Sequence, residues 1–208
     1  MPRFADLTVA QFLDALTSPE PTPGGGTAAA IAGAMGVSLL GMVAGLGKTR
    51  QQTGAAAVAM AGAKAALMSV RERLLALADT DSAAFNQVLA AYRLPKATDA
   101  QKMARTQAVQ QALRAATETP LETLAAAADA VVHARTVAAH GNRSADSDVR
   151  VAIELLEAAA ASAAANVEIN LGGLTDETYR KATAATTMEL ANRVTEDAAS
   201  ARAALAEE

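Results

Sequence analysis

Apolar and polar positions recur with helical spacing along most of this chain. Residues 8–17, TVAQFLDALT, place Phe12, Leu13 and Leu16 on one face, and Thr8 stands where an N-cap belongs. The next stretch, SPEPTPGGGT, runs through three prolines into three glycines and reads as a loop. From Thr27 to Gly47 there is no charged residue. That length matches a membrane span, but Ala and Gly dominate it and no aromatic belt or basic flank precedes it. It also begins too late, and without a basic start, to be a signal peptide. The pattern predicts a helix buried on all sides. Ala28, Ala32 and Gly36 fall four apart, as do Gly41 and Gly45, and such stripes let a second helix approach closely.

Further helices follow. One is expected over about 55–93, with Leu67, Leu74, Leu77, Phe85, Val88 and Leu89 as its apolar positions, broken at Pro95. Another covers 99–117. A new helix is expected to start at Thr119-Pro120, with the proline in its first turn, and to end near His140 before Gly141-Asn142. The next opens at Ser147 or Asp148 and stops at Gly172-Gly173. The last opens at Thr175-Asp-Glu, with acid in its first turn, and runs nearly to the C-terminus. No strand, linker or internal repeat is visible. The expectation is an all-α single domain, residues 1–208, of about seven helices.

Composition sharpens this picture. Roughly a quarter of the 208 residues are alanine, far above ordinary usage and the best helix former. Hydrophobic residues make up 51% and aromatics only 2%, which argues against disorder and against an aromatic-rich β-sandwich. Absence of Cys excludes a disulfide framework and thiolate metal sites, and suits a reducing, cytoplasmic compartment. A net charge of −4 argues against nucleic acid as the main partner. Small side chains bury little area each, so close helix packing and burial between subunits are both expected, and the chain is expected to be a homodimer.

Gly45-Leu-Gly-Lys-Thr resembles the end of a phosphate-binding loop, but the required first glycine falls on Met42, and the segment ends a helix instead of opening one. His133 and His140 share a helix face, yet further ligands would have to converge for a metal site, and none is expected. Gly24, Gly25 and Gly26 open a helix, which fits either an anion or polar ligand edge or a tight corner that only glycine can turn. Asp81 lies four after Leu77, seven after Leu74 and four before Phe85, on the apolar face of its helix. A carboxylate there is costly unless it is functional or paired with another helix, and burial raises its pKa toward proton-transfer use. Asp79 is expected to be solvated. On the helix from 148, Asp148, Ser162, Asn166 and Asn170 recur along a small-residue stripe, where polar groups either meet a ligand or fix register.

These features together resemble the cyclodeaminase/cyclohydrolase family, which includes the cyclodeaminase half of formiminotransferase-cyclodeaminase and bacterial methenyltetrahydrofolate cyclohydrolases. The likeness rests on FLDALTSPEPTPGGGTAAAIAGAMG, then Asp81-Ser-Ala-Ala-Phe85, Tyr92-Arg-Leu-Pro-Lys96, Thr119-Pro-Leu, Gly141-Asn142, Ser147-Asp148 and Asn166-Val-x-x-Asn170 in order. It implies an all-helical homodimer that binds folate in a groove near the subunit interface, without metal or redox cofactor. It implies hydrolysis of 5,10-methenyltetrahydrofolate to 10-formyltetrahydrofolate, or cyclisation of 5-formiminotetrahydrofolate with loss of ammonia. A free-standing chain, lacking a transferase half, favours the first. An inactive helical homologue serving as a scaffold is the alternative of a different class.

Within that resemblance Asp81 is the candidate catalytic residue, beside the cationic amidinium-like centre. Gly24, Gly25, Gly26, Asn142, Asp148, Asn166 and Asn170 are candidates for binding the substrate, and Lys96 for its glutamate tail. Three departures stand out. Segment 45–53 lacks the family's amide, aromatic and lysines, leaving Lys48 and Arg50; Val149-Arg150 replaces Ala-Gly; and Ser144 stands where the family often has Asn.

Overall fold

The computed structural model describes residues 3–46 and 54–206. Lys48, Arg50 and the rest of 47–53 lie outside the described residues. Among the described residues there are six α-helices and two short 3₁₀ turns, and no strand. The helices are α1 (Val9–Thr17), α2 (Gly25–Ala44), α3 (Gly54–Tyr92), α4 (Asp99–His140), α5 (Asp146–Leu171) and α6 (Glu177–Ala206).

Local chemistry sets most boundaries. Thr8 caps α1 and Thr98 caps α4, each in a reciprocal capping box with the glutamine three residues on. Pro95 lies in the corner between α3 and α4, which Arg105 closes by donating to the Tyr92 carbonyl at 3.0 and 3.1 Å. Gly141 ends α4 by donating its N–H to the Val137 carbonyl, and the Asn142 side chain accepts from the Ser144 N–H at 3.0 Å to shape the turn into α5.

The charge-free helix α2 lies at the centre, packed by α3 and α5 and touched by α4. Leu40 of α2 and Leu67, Leu74, Leu124, Ile153 and Leu156 of the helices around it are fully buried members of one core. By length and composition α2 is apolar enough to cross a membrane; here its apolar residues contribute to the core. Glycine is the reason α5 comes so near. A methyl group on Gly36 would sit 2.8 Å from the Ala152 carbonyl and 3.1 Å from Leu156 Cγ. Much of α4 is equally enclosed, with Ala126, Ala127, Ala128, Ala130 and Ala134 fully buried. A second cluster, with Val88, Leu113, Val167 and Leu171, closes the end of the bundle near the α5–α6 corner.

Ion pairs tie the outer helices on. Asp129 of α4 accepts from Arg73 of α3 and Arg193 of α6, and Arg202 of α6 donates to Glu154 and Glu157 of α5. Asp79, expected to be solvated, instead accepts the Phe4 N–H at 2.8 Å and pairs with Arg3, so it holds the N-terminal segment.

The helix expected to start at Thr119-Pro120 does not exist as a separate element: α4 runs unbroken through Pro120, which leaves six helices where seven were expected. A proline inside a helix ordinarily costs about 3 kcal/mol, because it removes one ladder hydrogen bond and crowds the carbonyl four residues back. That carbonyl belongs to Ala116, and it accepts instead from Asn170 Nδ2 of α5 at 2.9 Å. A tertiary donor has replaced the missing N–H.

The close approach at Gly36 makes a paired test. Gly36→Ala should destabilise the fold by about 1–3 kcal/mol through overpacking. Gly62→Ala, at an exposed helical position with nothing within 4 Å of the new methyl, should stabilise it by about 0.4–1 kcal/mol. Urea denaturation of both variants measures the difference.

Candidate functional site

The site is built where α3 crosses the start of α2. Leu77 and Ala78 bury that face of α3, and Asp81, one turn on, reaches the first turn of α2. Gly24, the N-cap of α2, has no side chain to cap the helix. The Asp81 carboxylate supplies that function from a different helix. It takes hydrogen bonds from both the N–H and the hydroxyl of Thr27, with Thr27 Oγ1 at 2.9 Å from Oδ2.

Thr27 is fully buried and its hydroxyl also stands 3.1 Å from the buried Ser82 hydroxyl. The threonine proton goes to the carboxylate, the strongest acceptor within reach, so Ser82 donates to Thr27. The result is a short chain, Ser82 to Thr27 to Asp81, that fixes the carboxylate.

Gly26 explains itself in this geometry. A methyl group there would lie 2.2 Å from Asp81 Oδ1, so glycine is required to seat the carboxylate against the helix end. At Gly25 the same methyl would meet nothing within 4 Å. The sequence offered a ligand edge or a tight backbone corner for this loop; at Gly26 the structure shows a third cause, the close approach of a side chain of the protein itself.

The carboxylate is not consumed by this capping role. It borders a cavity of about 160 Å³ lined by Pro21, Thr22, Gly24, Gly25, Gly26, Asp81, Phe85, Ala116, Asn166, Ile169 and Asn170. Burial pushes the Asp81 carboxyl above its ordinary value and outweighs the two Thr27 hydrogen bonds that pull it down. Asp81 is the single ionisable side chain in that lining. Asn166 Nδ2 donates to the Ser162 carbonyl at 2.8 Å and Asn170 Nδ2 to the Ala116 carbonyl at 2.9 Å. Each amide therefore keeps a carbonyl oxygen as its remaining acceptor. The cavity combines a carboxylate of raised basicity with amide acceptors and no cation, a composition suited to a cationic or donor-bearing ligand.

Six of the sequence candidates thus meet around one cavity: Gly24, Gly25, Gly26, Asp81, Asn166 and Asn170. Three do not. Lys96 is exposed in the α3–α4 corner, beyond the end of the helix that carries Asp81. Asn142 shapes the α4–α5 turn. Asp148 sits at the opposite end of α5, about 27 Å before Asn166 at 1.5 Å per residue. Phe85, expected to pack in the core, is 43% exposed and lines the cavity. Ile169 is 74% exposed beside it. Thr27 and Ser82 were not singled out from sequence; the available signal was Ser82 as neighbour of Asp81, and Thr27 as the first residue after the glycines. Among the described residues no three His, Asp or Glu side chains gather as a metal site requires.

A family model for formiminotransferase-cyclodeaminase matches residues 8–189. The chain belongs to this family. It is 40% identical over 174 residues to a methenyltetrahydrofolate cyclohydrolase of Methylorubrum extorquens, covering 83% of each protein. It is 32% identical over 187 residues to the formimidoyltransferase-cyclodeaminase of Gallus gallus, covering 90% of this chain but only 34% of that protein. The crystal structure of a formiminotetrahydrofolate cyclodeaminase from Thermotoga maritima superimposes with a TM-score of 0.86 at 27% identity, covering 97% of both chains.

The raised Asp81 pKa gives a pH signature in this family member. The native state holds a proton that the unfolded chain releases, so the contribution of this group falls as pH climbs from the ordinary Asp value of 3.8 toward the raised native value. Asp81→Asn carries no such loss. Its stability relative to the native chain should rise through that window and level off above it. Urea denaturation from about pH 3 to about pH 8 measures this; a flat difference would mean that Asp81 titrates alike in both states.

Proposed function

We propose that this chain hydrolyses 5,10-methenyltetrahydrofolate to 10-formyltetrahydrofolate at the Asp81 cavity. The observation that carries the reading is the buried carboxylate of raised pKa facing a cavity free of cationic side chains, in a chain 40% identical to a protein named for that reaction. The methenyl bridge is a cation delocalised between N5 and N10. A carboxylate beside it stabilises the positive charge and accepts a proton from the attacking water. The C–O bond forms as that proton moves to Asp81, giving a neutral tetrahedral carbon. Asp81 then returns the proton to N5 as the C–N5 bond breaks and the hydroxyl proton of the adduct passes to solvent water, leaving a neutral formyl group on N10, an ionised Asp81 and one proton released per turnover. Proton transfer alone completes the cycle, so the reading requires no resident metal or redox cofactor, and we place the enzyme in the cytoplasm.

The cyclodeaminase reaction is the second reading, favoured by the likeness to the Thermotoga maritima structure over 97% of both chains. That match removes the sequence argument from the lack of a transferase half, since a protein bearing the cyclodeaminase name has the same extent. The two reactions share the tetrahedral carbon and differ in whether water or ammonia enters or leaves.

We infer that the working form is a homodimer. The cavity of about 160 Å³ is smaller than the roughly 300–1,000 Å³ that encloses a drug-sized ligand, so one chain surrounds only part of a folate. Along α2, Met35 and Met42 are 50% and 43% exposed. They border an apolar groove with Ile31, Leu39, Leu75 and Leu155, and a second copy covers it in this reading.

Two measurements test this. The purified protein should accelerate loss of the methenyl absorbance, and Asp81→Asn should lower kcat by about 100-fold or more. No acceleration rejects hydrolysis; ammonia release from 5-formiminotetrahydrofolate selects the deaminase, and neither activity selects a scaffold. Met35→Glu should shift the dimer to monomer in mass photometry, and a native chain that is monomeric at micromolar concentration overturns the dimer.

A further inference from the structure

We propose that Pro120 and Asn170 form a positioning pair, in which the proline fixes the asparagine as a hydrogen-bond acceptor in the Asp81 cavity. The inference rests on the folate reading above for its substrate, and on three observations for its geometry. Pro120 lies inside unbroken α4, so the N–H that would ordinarily reach the Ala116 carbonyl from four residues on is missing. Asn170 Nδ2, 54 positions away on α5, donates to that carbonyl at 2.9 Å. Ala116 and Asn170 both line the cavity that Asp81 borders.

An asparagine amide has two chemically opposite ends, and a ligand that needs one is not served by the other. Without a fixed partner the side chain rotates to suit what it meets. Here the nitrogen is committed to a backbone carbonyl, which leaves Oδ1 as the acceptor available to a donor on the substrate. The commitment depends on residue 120. Any residue with an N–H there closes the helical ladder onto the Ala116 carbonyl and competes with Asn170 for it. Pro120 is buried and is not one of the residues that line the cavity, so it acts through Asn170.

The same arrangement adds to the acceptor character of the site. Asp81 and the two α5 amides all offer oxygen, which fits the amino and imino N–H edge of a fused pyrimidine ring, or the amidinium cation, and disfavours an anionic edge.

Pro120→Ala provides the test, since alanine is the better helix former and the variant should fold. Loss of one oriented acceptor should raise KM about tenfold while kcat and its Asp81-governed pH profile hold. In an Asn170→Ala background, Pro120→Ala should have no further effect on KM. A native KM in Pro120→Ala, or additive effects of the two changes, overturns the pairing. A readout independent of turnover separates this from the folate reading: the Asn170 side-chain amide protons, assigned in ¹⁵N-labelled protein, should be protected from exchange in the native chain and lose protection in Pro120→Ala. If neither folate reaction is catalysed, the functional reading fails by itself. Unchanged exchange in Pro120→Ala then overturns the pairing, and lost protection sustains it.

Discussion

Everything near the candidate site depends on one carboxylate seated on the end of another helix. Asp81 takes the N–H and hydroxyl of Thr27, and Gly26 leaves room for it. Helix α2 needs that carboxylate because Gly24, Gly25 and Gly26 offer no side-chain oxygen to cap its first turn. The glycines in turn must be glycines, at least at 26, because the cap comes from outside. Donor and acceptor thus impose their identities on each other across 54 positions of sequence. The favourable helix end and the Thr27 bonds favour ionisation, while burial opposes it and prevails. A carboxylate balanced in this way is held rigidly and remains basic, two properties that proton transfer to a positioned substrate requires together.

Alanine and glycine make this geometry accessible. Bulky residues would hold α2 farther from α3 and α5, and the first turn of α2 would stand beyond the reach of a side chain as short as aspartate. Close contact at Gly36 against Ala152 and Leu156 sets the separation between α2 and α5, and α5 carries Asn166 and Asn170 to the cavity. The same small side chains leave α2 with an apolar, partly exposed face at Met35 and Met42. Tight packing at the site and incomplete burial elsewhere are two consequences of one composition.

Much of this was legible in the sequence because it is local. Thr8 declared its capping role by position, the proline-glycine run declared a loop, and Asp81 stood out on an apolar face by its spacing from Leu74 and Leu77. Asn166 and Asn170 were visible as polar interruptions in a small-residue stripe. What could not be read is what depends on tertiary partners. Pro120 looked like a helix start, since nothing nearby shows that Asn170 supplies the missing donor. Gly26 looked like a place for a ligand, since the carboxylate it accommodates lies far along the chain. Lys96, Asn142 and Asp148 follow the family motifs in order, yet order along a chain of long helices says little about distance. Helices of 39, 42 and 26 residues carry such motifs to opposite ends of the bundle.

That separation bears on how the site can serve a whole folate. The lining around Asp81 contains no lysine, arginine or histidine, so within one chain nothing in the cavity neutralises an anionic tail. The acceptors match the other end of such a molecule, with its heterocyclic N–H groups and its cationic bridge. In the proposed reading a polar division follows: the Asp81 cavity holds the reacting head, and countercharge for the tail comes from beyond that cavity, whether from other parts of this chain or from the second copy of the homodimer reading. Lys96 and Asp148 then need not be near Asp81 of their own chain. Their distance from it argues against a role in the Asp81 cavity of one subunit, and the proposed reading leaves the chemistry there to Asp81, the two α5 amides and the threonine that holds the carboxylate in place.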